Sequence, residues 1–227
     1  MDLAPLALSL QVATVATLLA IIAGIPLAWT LARRRFPGRD LLAVLVVLPM
    51  VLPPTVLGYA LLVALGRQGP FDPAVRALFG DGLVFTPAAA VVAAFVASTP
   101  FLVRAALGGI EQLDLSYEEA ARTLGRRELG IFLTVTVPLA WRGIVAGIAL
   151  CFARAIGEFG AVLVVSGSVA GLTETSTLFI FRSLDERDAV GAHGMALVLA
   201  AVSFTLLMAM ELVRRRGARQ TKRTKRT

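Results

Sequence analysis

The sequence predicts an all-α, polytopic membrane protein with five transmembrane helices, or six if a short segment near 172–184 also crosses. Three observations support this. The 227-residue chain is 57% hydrophobic and only 16% charged, whereas a soluble domain is nearer half apolar and a quarter charged. The apolar residues fall in long blocks of about 20 or more, the length a helix needs to cross a bilayer. The basic residues gather where such blocks end.

The first block runs from about Leu6 to Leu31 and the second from about Leu41 to Leu65. The third covers about Pro87–Ile110, the fourth Leu139–Val165 and the fifth Val190–Val213. Lipid offers backbone amides no partners, so such spans are helical. Barrel strands would alternate over about ten residues, and these blocks do not. The N-terminus has Asp2 and no basic stretch, so the first block is expected to be a retained span, not a removed signal.

Net charge is +7. Four of the 22 basic residues lie at Arg33, Arg34, Arg35 and Arg39, and eight lie between Arg214 and Arg226. Both clusters follow apolar blocks directly, as cytoplasmic flanks do, and do not form a nucleic-acid face. Five spans place both clusters on one side and the N-terminus on the other. The links 66–86 and 166–189 then fall outside, and the link 111–138 inside. The organisation expected is a transmembrane domain over 1–213 containing a cytoplasmic loop at 111–138. A basic tail over 214–227 follows, solvated and disordered and in contact with anionic lipid.

One cysteine, Cys151, and one histidine, His193, make a disulfide or zinc site unexpected. The sequence has no Gly-Lys pair for a P-loop and no His-Glu-x-x-His. No serine has the Gly-x-Ser-x-Gly frame either. If ATP drives this protein, another chain binds it.

The link 111–138 holds Tyr117-Glu118-Glu119-Ala120-Ala121-Arg122-Thr123-Leu124-Gly125, and ends Val135-Thr136-Val137-Pro138. Good helix formers followed by glycine predict a short helix that stops at Gly125. Its small Ala120 and Ala121 would suit close docking against a partner, although an ordinary surface helix reads the same way. Pro49, Pro53 and Pro54 must bend or break the second span, either to line a cavity or as a packed kink. Arg154 and Glu158 sit one turn apart inside the fourth block. They either line a path through the membrane or form a neutral structural pair. Gly143, Gly147, Gly157 and Gly160 permit close helix approach, in a dimer core or in ordinary packing.

Glu119-Ala120-Ala121, three residues, Gly125, nine residues, then Val135-Thr136-Val137-Pro138 resembles the "EAA" loop of bacterial ABC importer permeases. Val135 and Val137 stand where Ile and Leu are usual. Phe36-Pro37-Gly38, the run from Leu48 to Tyr59 and Leu65-Gly66-Arg67 resemble the molybdate permease family. The run from Phe152 to Ala161 resembles that family and the sulfate permeases, and Val164–Ser168 leans toward the sulfate relatives. The resemblance implies a type I ABC importer bundle in the inner membrane, carrying molybdate or else sulfate or tungstate. It implies a homodimeric pore, two ATP-binding cassette subunits that hold the ATP, and an extracytoplasmic oxyanion-binding protein. It implies no cofactor or metal in this chain, no catalysis and no nucleic acid. Glu118, Glu119, Ala120, Ala121, Leu124 and Gly125 would form the ATPase-coupling segment. Pro53, Pro54, Thr55, Arg154 and Glu158 are candidates for the path or its gate. The rival classes are a stand-alone secondary transporter or channel, for which no ion-coupling charges or inverted repeat are visible, and a membrane enzyme.

Overall fold

A computed structural model describes residues 3–80 and 82–224, with side chains through Leu212. Among them are helices and no strand. Helix α1 (Ala4–Arg33) is followed by α2 (Arg39–Val51) and α3 (Pro54–Leu65). Short α4 (Asp72–Phe79) leads to α5 (Pro87–Glu111). The loop helix α6 (Ser116–Thr123) precedes α7 (Glu128–Ile131), a π-helical stretch (Phe132–Thr136) and α8 (Val137–Leu139). Then come α9 (Trp141–Ile156), α10 (Gly160–Ser166), α11 (Ser176–Asp185) and α12 (Ala189–Thr224).

Three helices are long and apolar enough to span a bilayer: α1, α5 and α12 through Leu212. Two bent pairs would raise the number to five if each is one crossing: α2 with α3, at 117°, and Glu128–Leu139 with α9, at 80°. The first bend has its cause in the sequence. Pro53 forces Leu52 out of the helical region, to φ −69° and ψ 139°. Pro54 then starts α3 at a position that needs no amide donor.

The fourth block, expected as one continuous span over 139–165, is divided. Helix α9 ends at Ile156, and Gly157–Phe159 break the chain before α10. Apart from Arg142, Arg154 and Glu158 the stretch is apolar or glycine, so a hydropathy average runs across the break. The segment 172–184 contains α11, whose ten residues reach about 15 Å, half the hydrocarbon thickness. Of the basic tail 214–227, expected to be disordered, residues up to Thr224 instead continue the backbone of α12 as helix, and 225–227 lie outside the described residues. Arg, Lys, Gln and Ala favour helix, and with only Gly217 and no proline the run has no strong breaker.

Helix α5 forms the centre, packed between α1 and α9. The contact is built from small residues. Ala13, Ala16, Ala20 and Ala28 on α1, and Ala90, Ala93, Ala94, Ala97 and Ala106 on α5, are wholly or almost wholly buried. In lipid, helix association rests on van der Waals packing at close range, which small side chains permit. A Cβ on Gly143 would lie 2.8 Å from the Gly109 Cα, and one on Gly147 would lie 3.0 Å from the Leu102 carbonyl oxygen. These glycines therefore serve the α5–α9 crossing inside one chain.

The molecule has two ends. Residues 33–39 and 111–140 share one, here called the basic end, where Arg39 Nε donates to the Leu31 carbonyl. The loop 66–86 and the end of α10 share the far end, where the Phe85 amide donates to the Val165 carbonyl at 3.0 Å. There the Ser176 amide also donates to Ser9 Oγ at 2.7 Å, tying α11 to the start of α1.

Candidate functional site

Two features stand out: the loop at the basic end and the meeting of two helix breaks. The loop is built on α6. Asp114 accepts the Ser116 amide through Oδ1 at 2.9 Å and so opens the helix. That bond holds the Asp114 carboxyl below its ordinary range. Gly125 closes the helix with φ +78°. The Gly125 amide donates to the Arg122 carbonyl, and the Arg126 amide donates to the Ala121 carbonyl at 3.1 Å. This is the paired Schellman closure, which favours glycine at the left-handed position.

Helix α6 has two faces. Glu118 and Ala121 point inward and are 1% and 9% exposed, while Tyr117 and Leu124 are 58% and 83% exposed. Glu119, Ala120 and Gly125 are exposed too. Of the six residues expected to form the coupling segment, four thus lie on the outside of the chain. Glu118 and Ala121 hold the helix to the rest of it.

Glu118 is the joint. Arg33 Nε donates to Glu118 Oε1 at 3.0 Å, and Thr136 Oγ1 donates to the same oxygen at 2.8 Å. Arg33 Nη2 also donates to the Ile110 carbonyl at 2.9 Å. The carboxylate therefore links α6 to the end of α1 and to the π-helical stretch, and Arg33 ties the end of α5 to the same joint. Trp29 stacks at a tilt on Phe132, with centroids 5.2 Å apart, and the Arg34 guanidinium covers the Trp29 ring. On the outer side, Arg122 Nε donates to Glu128 Oε1 at 2.7 Å, which holds the Glu128 carboxyl below its ordinary range. Pro138 has no amide to donate to Thr134, so the helical ladder is interrupted where the π turn lies.

The second feature joins the residues expected along a path. Arg154 and Glu158 form an ion pair, with Glu158 buried and the Arg154 side chain 28% exposed. Glu158 does more than neutralise Arg154. Its Oε1 accepts the Ala161 amide at 2.9 Å, which caps α10 across the break, and its carbonyl accepts Thr177 Oγ1 at 3.0 Å. A Cβ on Gly160 would lie 2.8 Å from the Pro54 Cβ, and one on Gly58 would lie 2.9 Å from the Ala161 Cα. The break before α3 therefore rests on the break before α10. Pro53, Pro54 and Thr55 are exposed at this place.

Arg104 is not among the residues expected along the path. It stands inside the third apolar block, on α5, and is exposed. A single charge in a run of apolar residues was the available signal, but a hydropathy average absorbs it.

The site lies in a bundle of apolar helices, two pairs of which are sharply bent, with an anchored loop helix. Two solved structures share it at the level of fold. One is the MetNI methionine ABC transporter, with TM-score 0.72, 17% identity and 93% of each chain covered. The other is a bacterial ABC transporter that imports alginate, with TM-score 0.73, 13% identity, and 94% of this chain and 79% of that one covered. The chain belongs to the family described as "binding-protein-dependent transport system inner membrane component", which matches residues 16–220.

Relatives within that family are similar along nearly the whole length. The molybdenum transport system permease protein ModB of Escherichia coli strain K12 is 39% identical over 206 residues, covering 91% of this chain and 89% of that protein. ModB of Azotobacter vinelandii is 38% identical, covering 94% and 95%. The sulfate transport system permease protein CysT of Salmonella typhimurium is 38% identical, covering 93% of this chain and 76% of that protein.

Proposed function

We propose that this chain is the membrane-spanning permease subunit of an ATP-driven importer for a tetrahedral oxyanion, most closely fitting molybdate. The observation that carries the reading is the α6 loop. It combines the Glu119-Ala120-Ala121, Gly125 and Pro138 spacing with an exposed Tyr117–Ala120–Leu124 face and a buried anchor at Glu118. The identity to molybdenum permeases along the chain supports the substrate class.

Two copies of the chain form the pore in the inner membrane, and two ATP-binding cassette subunits bind ATP and dock on α6. An extracytoplasmic binding protein delivers the anion. This chain holds no cofactor and breaks no bond. Closure of the ATPases pushes α6, and the Glu118 joint passes that push to the ends of α1, α5 and the π turn. The two bent pairs each start at the basic end and finish toward the far end, which favours five crossings with the basic end in the cytoplasm. The domain then spans 1–213 and the tail 214–227.

The test is ATP-dependent uptake of labelled molybdate by the permease co-expressed with its ATPase and binding protein. Uptake that needs ATP and is displaced by tungstate supports the reading. ATP-dependent uptake of sulfate without molybdate favours the sulfate alternative, which the similarity to CysT suggests. Transport without any ATPase would favour a secondary transporter and overturn the proposal.

A further inference from the structure

Arg104 lies seven residues before the end of α5 at Glu111, about 10 Å along the helix axis. It is exposed inside an apolar, 25-residue spanning helix. Among the described residues no carboxylate pairs with it. Arg154, by contrast, is neutralised by Glu158. A bare guanidinium facing hydrocarbon is costly, so intramembrane arginines turn to a bundle interior or a watered cavity.

The structure supplies such a cavity. About 670 Å³ opens between α5 and the corner where α8 meets α9, at the basic end. Arg104, Arg142 and Gln112 line it over a floor that includes Gly108, Gly109 and Gly143, and no acidic residue lines it. An apolar groove along α2, lined by Val44, Val47, Leu48 and Val51, reaches the same Arg104. Arg142 is already engaged within the chain, so the binding group is Arg104. A guanidinium presents paired donors that match two oxygens of a tetrahedral anion.

We propose that Arg104 is a binding station for a tetrahedral oxyanion in the part of the path that opens at the basic end. This rests on the oxyanion-importer reading above. The same chemistry would suit the phosphate of an anionic lipid, and the test separates the two. Gly108 is the probe position, because a Cβ there meets nothing within 4 Å. The native Cys151 is fully buried and gives the unlabelled control.

The permease–ATPase complex carrying Gly108→Cys is reconstituted in phosphatidylcholine vesicles, with and without phosphatidylglycerol. It is labelled from the basic end with anionic or cationic methanethiosulfonates. The anionic reagent should react faster by about tenfold, as a focused positive field requires. Adding Arg104→Gln should abolish most of that preference. Molybdate should slow labelling in both kinds of vesicle. No preference, or a preference that survives Arg104→Gln, overturns the proposal. Slowing by phosphatidylglycerol alone assigns the site to lipid and also overturns it.

Uptake provides the second measurement. Arg104→Gln should lower molybdate uptake by about tenfold or more with ATPase copurification retained, and Arg104→Lys should recover part of it. Wild-type uptake matched by both variants removes this inference and leaves the importer reading standing. Absence of oxyanion uptake in the wild type removes that reading itself. If Arg104→Gln fails to assemble, the charge preference of Gly108→Cys alone decides.

Discussion

Single side chains hold distant elements together here in ways that their sequence neighbourhood conceals. Glu118 precedes the Glu-Ala-Ala run and reads as one more acidic residue on a polar helix. In the structure its carboxylate is buried and joins Arg33, 85 positions away, to Thr136. Removing one partner of a buried pair costs roughly 3–5 kcal/mol, because the other charge is left alone. Glu118→Ala should therefore loosen the whole loop, seen as faster hydrogen exchange over 111–138 and weaker ATPase recovery. Glu118→Gln, which can still accept from Thr136, should loosen it less. Equal exchange in both variants and the wild type would show that the joint transmits nothing.

The Arg154–Glu158 pair calls for a different test, because Glu158 also caps α10 through the Ala161 amide. Arg154→Ala should reduce the amount of assembled protein, and Arg154→Gln with Glu158→Gln should restore much of it. That double variant loses both charges, while the amide introduced by Glu158→Gln retains an oxygen acceptor for the cap. Normal assembly of Arg154→Ala with loss of uptake would instead place Arg154 on the path.

At the scale of elements, the legible features were those written in local chemistry. The end of α6 at Gly125 and the bend at Pro53–Pro54 followed from residues whose backbone preferences are strong. The break between α9 and α10 was not read, although Gly157 and Gly160 bracket Glu158 and offered a sign of it. Its stability comes from a distant element: Pro54 and Gly58 on α3 hold α10 in place, and no local pattern encodes that contact. The inward turn of Ala121 was hidden for the same reason, since sequence alone does not say which face of a short helix meets the chain. The face left outside, Tyr117–Ala120–Leu124, is the one expected to meet the ATPase. Ala120→Glu should overfill that interface, a packing defect of about 1–3 kcal/mol. Gly125→Val should add about 1–2 kcal/mol of left-handed strain. Both variants should insert normally while ATPase pull-down and uptake fall together. Undiminished pull-down in the double variant would remove α6 from the coupling role.

For the molecule as a whole, the spans that hydropathy described well are those that are single helices: α1, α5 and α12. The two bent pairs are harder to count, because a bend of 80° or 117° permits either a broken crossing or a return to the same side. The end points argue for crossing. Arg39, at the start of α2, bonds back to Leu31 at the basic end, while Leu62 and Leu65 of α3 line a cavity with Leu83 and Phe85 at the far end. The loop α6 sits at the basic end, and Gly167 packs against Phe85 at the far end. If both pairs cross, positions 126 and 168 face opposite sides of the membrane. Arg126 and Ser168 are both exposed, and the buried native Cys151 leaves a clean background. In intact cells an impermeant thiol reagent should label Ser168→Cys and leave Arg126→Cys unlabelled. In inverted membrane vesicles the order should reverse. Glu174 would be a poor reporter for that outer loop, since it is buried against Arg182. Labelling of both positions from one side would mean that one bent pair returns to its starting face. An orientation opposite to that of the basic clusters would place α6 beyond reach of any cytoplasmic ATPase, and the coupling mechanism would fall with it.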